Sequence, residues 1–420
     1  MDMPLNSAPP EVMHIDLNAC FAMTEQQANP LLRGRPVGVT NRIGSWATII
    51  APSYEAKRLG VKCGTRVADA RVLAPGIVIM ETEPDKYKYV HRQLKSIFAD
   101  YAPFAMKSID EGVLDFRGMV KLLKGRELTD VAREIKQRVR EELGEWMTVN
   151  IGIAPNRFLA KLAAGFHKPD GLEVLDAGNL ELVYHFLDLL DLPGINVRYR
   201  RRLWDAGLET PIDFLRAPEW QLTKQVFHSI NGRHWYLRLR GYEVDDIAFG
   251  IKNVGRQYVL HHRTADPEEL SQLLYTFAVK VSRRLRQHGL AARGLLLSLT
   301  YPPPRWSDGQ HSWGWYERRM FKTPARRAAD LHQRALRLFS TSPPGQTVSG
   351  IAMTAYGLQR ADTDQLSLYE RDDARQDRLE DAINTLNDKY GELVVRPARL
   401  LHTPNPAPDK ISFGSVRYFE

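Results

Sequence analysis

The sequence predicts a multidomain α/β protein, and its length, composition and hydrophobic pattern support that prediction. The chain has 420 residues, more than one ordinary domain contains. Apolar residues make up 43% of it and charged residues 26%, as in globular proteins with hydrophobic cores. Between residues 12 and 171, short apolar runs alternate with stretches of helical periodicity. This alternation is typical of a layered α/β fold.

The first part of the chain contains seven candidate strands and two clear amphipathic helices. The predicted strands cover residues 13–17, 36–39, 48–51, 77–80, 104–109, 113–116 and 148–153. One helical stripe consists of Val90, Leu94, Ile97, Phe98 and Tyr101, and the other of Leu128, Val131, Ile135, Val139 and Leu143. Ser53 and Thr65 are predicted helix N-caps, and Gly60 is a predicted helix stop.

The composition changes after residue 171, and the rest of the chain divides into further predicted segments. A helical region at 180–240, with a turn at 192–195, is followed by a linker at 241–252. Strands at 257–261 and 294–301 flank a helix at about 268–288, and a loop follows at 302–318. The last predicted helix, at about 375–390, has the apolar stripe Leu379, Ile383 and Leu386. The strands and helix after residue 253 predict a second α/β unit.

Charge and cysteine content restrict the class of protein. The net charge of +8 and the isoelectric point of about 9.3 favour a polyanionic partner. The two cysteines, Cys20 and Cys63, form neither a zinc-site spacing nor a disulfide framework, which suits a reducing cytoplasm. Residues 1–10 lack a signal-peptide core, and no apolar run approaches membrane-spanning length. We therefore expect a cytoplasmic protein.

Three carboxylates occupy places where an apolar strand has no ordinary use for them. Asp16 ends one predicted strand, and Asp110 and Glu111 lie between two others. An unpaired buried charge is costly, but hard divalent cations bind clustered carboxylates. A surface turn at Asp110–Glu111 and an N-cap role for Asp16, ahead of a helix starting near Ala19, are the alternatives. The acids predict a two-metal phosphoryl-transfer site.

Five segments resemble one known family, the Y-family translesion DNA polymerases of bacteria. They occur in the family's order: HIDLNACFA at 14–22, SYEAKRLGV at 53–61, SIDE at 108–111, GIAPNRFLAK at 152–161 and KPDG at 168–171. A looser resemblance extends to about residue 355. The resemblance implies a right-hand polymerase with a ferredoxin-like palm (11–30 and 76–172), small fingers (31–75), a helical thumb (173–240), an α/β little finger (253–356) and a C-terminal tail (357–420).

The resemblance also implies which residues form the active site. Asp16, Asp110 and Glu111 would be catalytic and would bind two Mg²⁺ ions together with the backbone carbonyl of Leu17; Mn²⁺ is the alternative ion. Phe21 matches the family's aromatic steric gate, which a 2′-hydroxyl would strike; its alternative role is in the core of the first helix.

Further positions match the family's contacts to the incoming nucleotide. Tyr54, Lys57 and Lys161 match positions that contact the triphosphate. Arg58 is an alternative to Lys57, and a solvated helix face is the alternative for either lysine. Ala47, Thr48 and Ile50 fall where the family's fingers cover the nascent base pair, and the first two are small. Small residues there predict low fidelity.

Two regions suit the DNA backbone. Gly194 lies in a turn that resembles a helix-hairpin-helix hairpin, although Asn196 replaces the usual second glycine. Residues 252–293 contain eight basic and three acidic residues, a net charge of +5, and Arg256, Arg283 and Arg284 are the candidate DNA-binding residues. The aromatic residues Trp306, Trp313, Trp315 and Tyr316 either stack on bases or pack beneath a loop.

A short segment resembles the peptide that docks bacterial replication proteins onto the sliding clamp. Gln365, Leu366, Leu368 and Tyr369 are its anchors. The implied partners are primer-template DNA, dNTPs, the sliding clamp and, through the tail, recombination or mutagenesis accessory proteins. We expect a monomer, associated with the nucleoid when it is on DNA.

The main functional prediction is a template-directed DNA polymerase of low fidelity that performs translesion synthesis by two-metal nucleotidyl transfer. One alternative is a non-catalytic adaptor of the same family that keeps only DNA and clamp binding. Degenerate members of that kind lose the acids, whereas this chain has all three. A nucleotidyl cyclase, the other alternative, is disfavoured by the basic second unit and the clamp-like peptide.

Overall fold

The structure is a computed structural model, and it describes residues 3–44, 47–119, 125–246, 250–302, 313–361, 373–391, 393–400 and 407. These residues form two compact units, one up to residue 246 and the other from residue 250. Within the described ranges, no helix is both long enough and apolar enough to cross a membrane.

The first unit contains eight strands and eleven helices among its described residues. The strands are β1 (Val12–Leu17), β2 (Val37–Thr40), β3 (Ile49–Pro52), β4 (Val78–Glu81), β5 (Phe104–Met106), β6 (Glu111–Asp115), β7 (Val149–Ala154) and β8 (Leu172–Val174). The helices are α1 (Cys20–Ala28), α2 (Tyr54–Arg58), α3 (Val67–Leu73), α4 (Pro84–Ala99), α5 (Leu128–Leu143), α6 (Arg157–Ala163), α7 (Leu180–His185), α8 (Val197–Asp205), α9 (Pro211–Arg216), α10 (Glu219–Gln221) and α11 (Asn231–Leu239). The seven predicted strands and both amphipathic helices are confirmed, although the strand predicted at 104–109 ends at Met106.

A five-stranded sheet in the order β5–β6–β1–β7–β8 supports the first unit. β1 lies at its centre and runs antiparallel to β6 and β7. Side chains alternate between the two faces of a strand. Met13 and Ile15 therefore pack into the core that α4 and α5 cover, while Val12 packs with α6 on the other face. Asp16 shares the face of Val12, so the sheet directs this carboxylate toward the side of α6.

A smaller sheet in the order β3–β2–β4 forms a separate core with α2 and α3. β4 pairs in parallel with β2, so residues 78–81, predicted as palm, belong to the sheet of the predicted fingers. Ser53 is confirmed as an N-cap because its hydroxyl accepts a bond from the Ala56 amide. The prediction of Thr65 as an N-cap is wrong: its hydroxyl accepts from the Lys62 amide, and Arg66 occupies the cap position.

Asp16 is not a helix cap. It lies within β1, and the residue that precedes α1 is Ala19, with φ 41°. The N-cap alternative is therefore wrong, because three residues separate the acid from the start of α1 at Cys20 and Ala19 occupies the cap position.

The region from 180 to 240 is helical, as predicted. Helices α7 to α11 enclose a second core in which Phe214, Phe227 and Trp235 contact one another with ring centroids 5.4–6.1 Å apart. Aromatic clusters of this kind bury much apolar area and fix the relative positions of short helices.

The second unit contains four strands and three helices among its described residues. They are β9 (Asn253–Thr264), α12 (Pro267–Gln287), β10 (Leu290–Tyr301), β11 (Trp313–Ala325), α13 (Ala328–Phe339), β12 (Val348–Arg360) and α14 (Asp373–Tyr390). The strands form an antiparallel sheet in the order β11–β10–β12–β9. α12 and α13 cover one face of this sheet through residues such as Leu274, Leu297 and Leu331.

The prediction of a loop at 302–318 is wrong for residues 313–318, which belong to a strand. Residues from Trp313 onward form the first half of β11, where Trp315 faces the helices and Tyr316 the opposite side. Trp306 lies outside the described residues. The predicted end of the little finger at 356 falls inside β12, which continues to Arg360 because that residue still pairs with Leu290. Residues 247–249 of the predicted linker also lie outside the described part.

The predicted last helix is confirmed as α14. Ile383 of its apolar stripe is half-buried, but the other two residues of the stripe face solvent. Leu379 is 60% exposed and Leu386 42% exposed, while acidic residues such as Asp377 face the unit. α14 therefore does not attach to the unit by the hydrophobic stripe that its sequence suggests.

Candidate active site

Strand pairing brings together three carboxylates that are far apart in the sequence. Asp16 in β1 is paired directly with Glu111, the first residue of β6. Directly opposed residues of antiparallel strands project from the same face, with Cβ atoms about 4.5–5.5 Å apart. The Leu17 amide donates to the carbonyl of Asp110 at 2.9 Å. The predicted convergence of the three acids is present in the structure.

Ser108 shapes the turn that presents Asp110 and Glu111. Its hydroxyl donates to Asp110 Oδ1 at 2.5 Å and accepts from the Glu111 amide at 3.1 Å. Local bonds of this kind compete with strand pairing. They explain why the strand predicted through residue 109 ends early at Met106.

Two lysines neutralise part of this charge. Lys161 of α6 donates to Glu111 Oε2 at 2.7 Å, and Lys168 donates to Asp16 Oδ2 at 2.7 Å. Lys161 is a predicted site residue. Lys168 is a site residue to which the sequence assigned no role; its place in the KPDG segment is the signal that could have identified it.

Burial governs the ionisation of the acids. It raises the pKa of Asp110 to about 6, and it raises the pKa of Asp16 although Lys168 opposes the shift. Burial also acts to raise the pKa of Glu111, but the positive surroundings, including Lys161, outweigh it and lower that pKa. Burial lowers the pKa of His14, 3.7 Å from Glu111, to about 3, so His14 is neutral at pH 7. Three acids thus face two lysines.

The donor chemistry of the cluster suits a hard divalent cation. Carboxylate and carbonyl oxygens are the ligands such ions prefer, and a cation would offset the charge that burial disfavours at Asp16 and Asp110. Among the described residues, no three Asp, Glu, His or Cys side chains already surround a common point. The acids fit a metal ion in chemistry, while their present conformations are those of ion pairs with Lys161 and Lys168.

A cavity of about 410 Å³ opens beside Asp110, and Phe21, Ile50 and Lys57 are among the residues that line it. Its volume is in the range of small-molecule sites. The cavity therefore places a ligand next to the acids.

Phe21 serves the core and the cavity at once. Its side chain is 2% exposed and stacks on Tyr87 with ring centroids 4.4 Å apart. The Tyr87 hydroxyl donates to the buried Glu25 at 2.7 Å. The ring is thus held rigidly at the cavity wall, as a steric gate requires.

Lys57 and Tyr54 lie together near the acids. The Lys57 ammonium lies 4.3 Å from the centroid of the Tyr54 ring. Burial lowers the pKa of Lys57, and burial together with Asp16 raises the pKa of Tyr54 to about 12. Both Lys57 and Arg58 are exposed, but only Lys57 lines the cavity.

The predicted fingers contacts are only partly where the sequence placed them. Ala47 is 3% exposed and packs in the core of the smaller sheet with Ile49 and Val61, so its side chain does not line the cavity. Thr48 is exposed and bridges to Arg66. Ile50, the third residue predicted there, does line the cavity, together with residues 51 and 52 of β3.

The turn at Gly194 has the expected backbone conformation, but Asn196 has a different role from the glycine that it replaces. Gly194 adopts φ +95°, a conformation that favours glycine. Asn196 has φ −108° and caps α8 by accepting from the amides of Arg198 and Tyr199. It therefore replaces the second glycine as a helix cap and not as a positive-φ residue.

The three arginines predicted to bind DNA make contacts within the second unit. Arg256 donates to the Ala407 carbonyl at 3.2 Å, and Arg284 donates to the Gly255 carbonyl at 2.7 Å. Arg283 pairs with Asp388 of α14. Arg256 also shares a strand face with Tyr258, which packs toward the helices.

The clamp-like anchors Gln365, Leu366, Leu368 and Tyr369 lie outside the described residues, between residues 361 and 373. Their role stays a prediction.

Comparisons with known proteins agree with this site. The impB/mucB/samB family matches residues 15–165, and the C-terminal domain of the same family matches residues 251–368. DNA polymerase IV of Moorella thermoacetica is 33% identical over 92% of this chain and 95% of its own length. DNA polymerase IV 1 of Bacillus subtilis is 28% identical over 96% of each chain.

Solved structures share the fold. A Y-family DNA polymerase chimera of Dbh and Dpo4 superposes with a TM-score of 0.68 at 22% identity, over 83% of this chain and 99% of its own. An insertion ternary complex of Dbh DNA polymerase gives a TM-score of 0.53 at 22% identity, over 82% of this chain and 98% of that one. The fold is that of a Y-family DNA polymerase. The chain belongs to the impB/mucB/samB family and is similar to bacterial DNA polymerase IV along most of its length.

Proposed function

We propose that this chain is a template-directed DNA polymerase of low fidelity that copies past damaged bases. The observation that supports this most directly is the pairing of Asp16 with Glu111, beside Asp110 and a cavity of nucleotide size. The family match along both units argues for the same reaction class. A non-catalytic adaptor would have no need for three clustered, half-buried acids of which one, Asp110, lines a cavity.

The acids would hold divalent metal, which we propose to be two Mg²⁺ ions, with the Leu17 carbonyl as a further ligand. When bound, the metal supplies charge neutralisation at the triphosphate and activation of the primer 3′-hydroxyl. The protein's own residues position the reactants. Lys57 lines the cavity and Lys161 is bonded to Glu111, so both ammonium groups can bind phosphate oxygens, while Phe21 would form the floor under the sugar.

Lys161 and Lys168 would change partners when substrate enters. In the structure they neutralise Glu111 and Asp16. If those acids bind metal, each ammonium group is released from its carboxylate, and the triphosphate is the nearest new anion. The lysines thus neutralise the acids in this arrangement and would become phosphate ligands when metal holds the acids.

We propose that DNA lies against the open face of the four-stranded sheet. Strand register places Arg318, Tyr316, Thr354, Gln257 and Asn253 on the side opposite α12 and α13. The described residues paired on this side include neither Asp nor Glu. Polar and basic groups on a flat sheet suit backbone contacts that depend on salt and not on sequence.

Primer extension tests the proposal. Full-length protein should extend a primer on an undamaged template and past an abasic site or adduct, and should stop when divalent metal is chelated. Lack of extension on all templates by protein that is folded and binds DNA would contradict it.

The metal requirement predicts a pH-dependent thermal shift. Burial raises the pKa of Asp110 to about 6, so the metal-free protein loses stability as pH rises from the usual aspartate range to that value, above which this carboxyl is ionised in the fold. Metal ligands must be deprotonated. We therefore expect Mg²⁺ to raise Tm more at about pH 7.5 than at about pH 5.5, by a few degrees at saturating ion. Asp110→Asn should reduce the shift, and Asp115→Asn, at the far end of β6, should preserve it. A shift independent of pH and of Asp110 would argue against metal at these acids.

The clamp-like peptide predicts a partner. Deleting residues 365–369 should abolish stimulation of synthesis by the sliding clamp and leave basal extension unchanged, because apolar anchors carry most of the binding energy of such peptides. Equal stimulation of both proteins by the clamp would contradict this role.

A further inference from the structure

The helices that cover the sheet of the second unit carry a group of arginines that α14 conceals. Arg283 and Arg286 belong to α12, and Arg326 and Arg327 directly precede α13. We call these four residues the arginine patch. Each of them pairs with a carboxylate of α14.

Arg286 is the centre of the contact. Its guanidinium donates to Asp377 and to Asp381 at 2.8 Å, and to Glu380 at 2.9 Å. Its side chain is 8% exposed, so these three carboxylates account for most of its surroundings. The Glu380 carboxylate also accepts from the Ala328 amide at the start of α13 at 3.3 Å.

The other arginines extend the contact along α14. Arg326 and Arg327 both bind Asp377, at 2.5 Å and 3.1 Å. Arg283 pairs with Asp388, about three helical turns further along. Four carboxylates of one helix thus face four arginines of two other elements.

The attachment of α14 is ionic and not hydrophobic. Leu379, Leu386 and Tyr390 are exposed, whereas an amphipathic helix normally turns its apolar stripe toward the protein. The more exposed of these ion pairs, those of Arg283 and Arg326, are screened by salt and are open to competition from another polyanion. α14 therefore covers the patch in a way that a strong polyanion can reverse.

We propose that the arginine patch is a second binding surface for duplex DNA, which α14 covers with carboxylates when DNA is not bound there. Guanidinium groups bind carboxylate and phosphate oxygens with the same forked geometry, so the acids of α14 stand where phosphates would lie. The protein as a whole is basic, with a net charge of +8. The proposal rests on the proposed function only because it takes DNA as the polyanion that this protein encounters. It does not depend on the catalytic acids.

The first test removes the negative charge of α14 in the full-length chain. The variant Asp377→Asn/Glu380→Gln/Asp381→Asn is compared with Glu268→Gln/Glu317→Gln/Asp330→Asn, which makes the same charge change in the same unit outside α14. Both are titrated with a blunt-ended duplex over a range of salt concentrations. We expect the α14 variant to bind about tenfold more tightly at low salt, with a salt slope steeper by about 0.9 for each additional phosphate that the protein neutralises. Equal affinity and slope in the α14 and control variants would overturn the proposal.

The second test locates any increase in affinity. Adding Arg283→Gln, Arg326→Gln and Arg327→Gln to the α14 variant should remove the extra affinity and the extra slope. The same three changes should have a smaller effect on duplex affinity in the unmodified chain, because there the duplex must first displace α14 from those residues. An increase that survives the arginine changes would place the new binding surface elsewhere and overturn the assignment.

A third measurement needs no substitution and is independent of variant folding. Hydrogen–deuterium exchange of residues 377–390 is followed in the unmodified chain with and without excess duplex at moderate salt. Duplex that displaces α14 should speed exchange of these amides, since the helix loses its ionic support. Unchanged or slower exchange would overturn the proposal. Loss of polymerase activity in a metal-site variant would leave all three results as they stand, so the two proposals fail separately.

Discussion

Replacing Asp110 by alanine is expected to lower kcat for nucleotide incorporation by about a thousandfold or more and to change KM little. Asp110 lies at the wall of the cavity and beside the paired acids Asp16 and Glu111. Phosphoryl transfer leaves the protein mainly positioning and charge stabilisation to perform, so losing one of three carboxylates removes stabilisation that exists only in the transition state. Single-turnover incorporation with saturating dNTP measures this loss directly.

The asparagine variant separates catalysis from folding. Because burial raises the pKa of Asp110 to about 6, the ionised carboxylate costs the metal-free protein stability at neutral pH. Asp110→Asn should therefore be inactive yet unfold at the same or a higher Tm than the unmodified chain in the absence of metal. Asp115→Asn is the matched control, since Asp115 lies at the far end of β6 and pairs with Arg117 away from the cluster. Activity of Asp110→Asn within tenfold of the unmodified chain would remove Asp110 from the catalytic set.

The sequence could predict the acids but not their lysine partners. Asp16 lies next to the end of one buried strand, and Glu111 begins another. Period-two alternation of apolar and polar residues is enough to predict such strands. Lys168 reaches Asp16 across 152 positions, and only the path of the chain after α6 makes that contact. Strand ends are local properties, whereas ion pairs between distant segments depend on the tertiary fold.

The errors in the second unit have a related cause. The described part of the predicted loop at 302–318 reads as irregular because Trp313, Trp315 and Tyr316 follow a Pro-rich stretch. This segment nevertheless forms a strand, because its pairing with β10 outweighs the local sequence preference. The apolar stripe of α14 leads to a different error. Its period correctly predicts a helix, but the acidic face of that helix lies against the arginine patch and Leu379 is exposed. Periodicity identifies a helix but not which face it buries when the partner surface is charged.

Replacing Phe21 is expected to open the site to ribonucleotides. The ring lines the cavity and is fixed by stacking on Tyr87 at 4.4 Å, so it cannot move aside for a 2′-hydroxyl. Forcing extra atoms into a rigid packed wall costs about 1–3 kcal/mol. Phe21→Ala should therefore lower the preference for dNTP over rNTP in kcat/KM about tenfold to a hundredfold. Steady-state incorporation of matched dNTP and rNTP opposite the same template base measures the ratio.

Stability must be separated from selectivity in that experiment, because Phe21 is 2% exposed and truncation of a buried phenylalanine costs about 3–5 kcal/mol. Phe21→Leu keeps most of the apolar contact and should show a smaller change in sugar preference at a milder loss of Tm. Phe98→Leu is the matched control, since Phe98 is a buried phenylalanine of the same core that does not line the cavity. It should lower Tm without changing the dNTP to rNTP ratio. If Phe21→Ala keeps the ratio of the unmodified chain, or if Phe98→Leu changes it equally, the ring at position 21 is a core residue and another group selects the sugar.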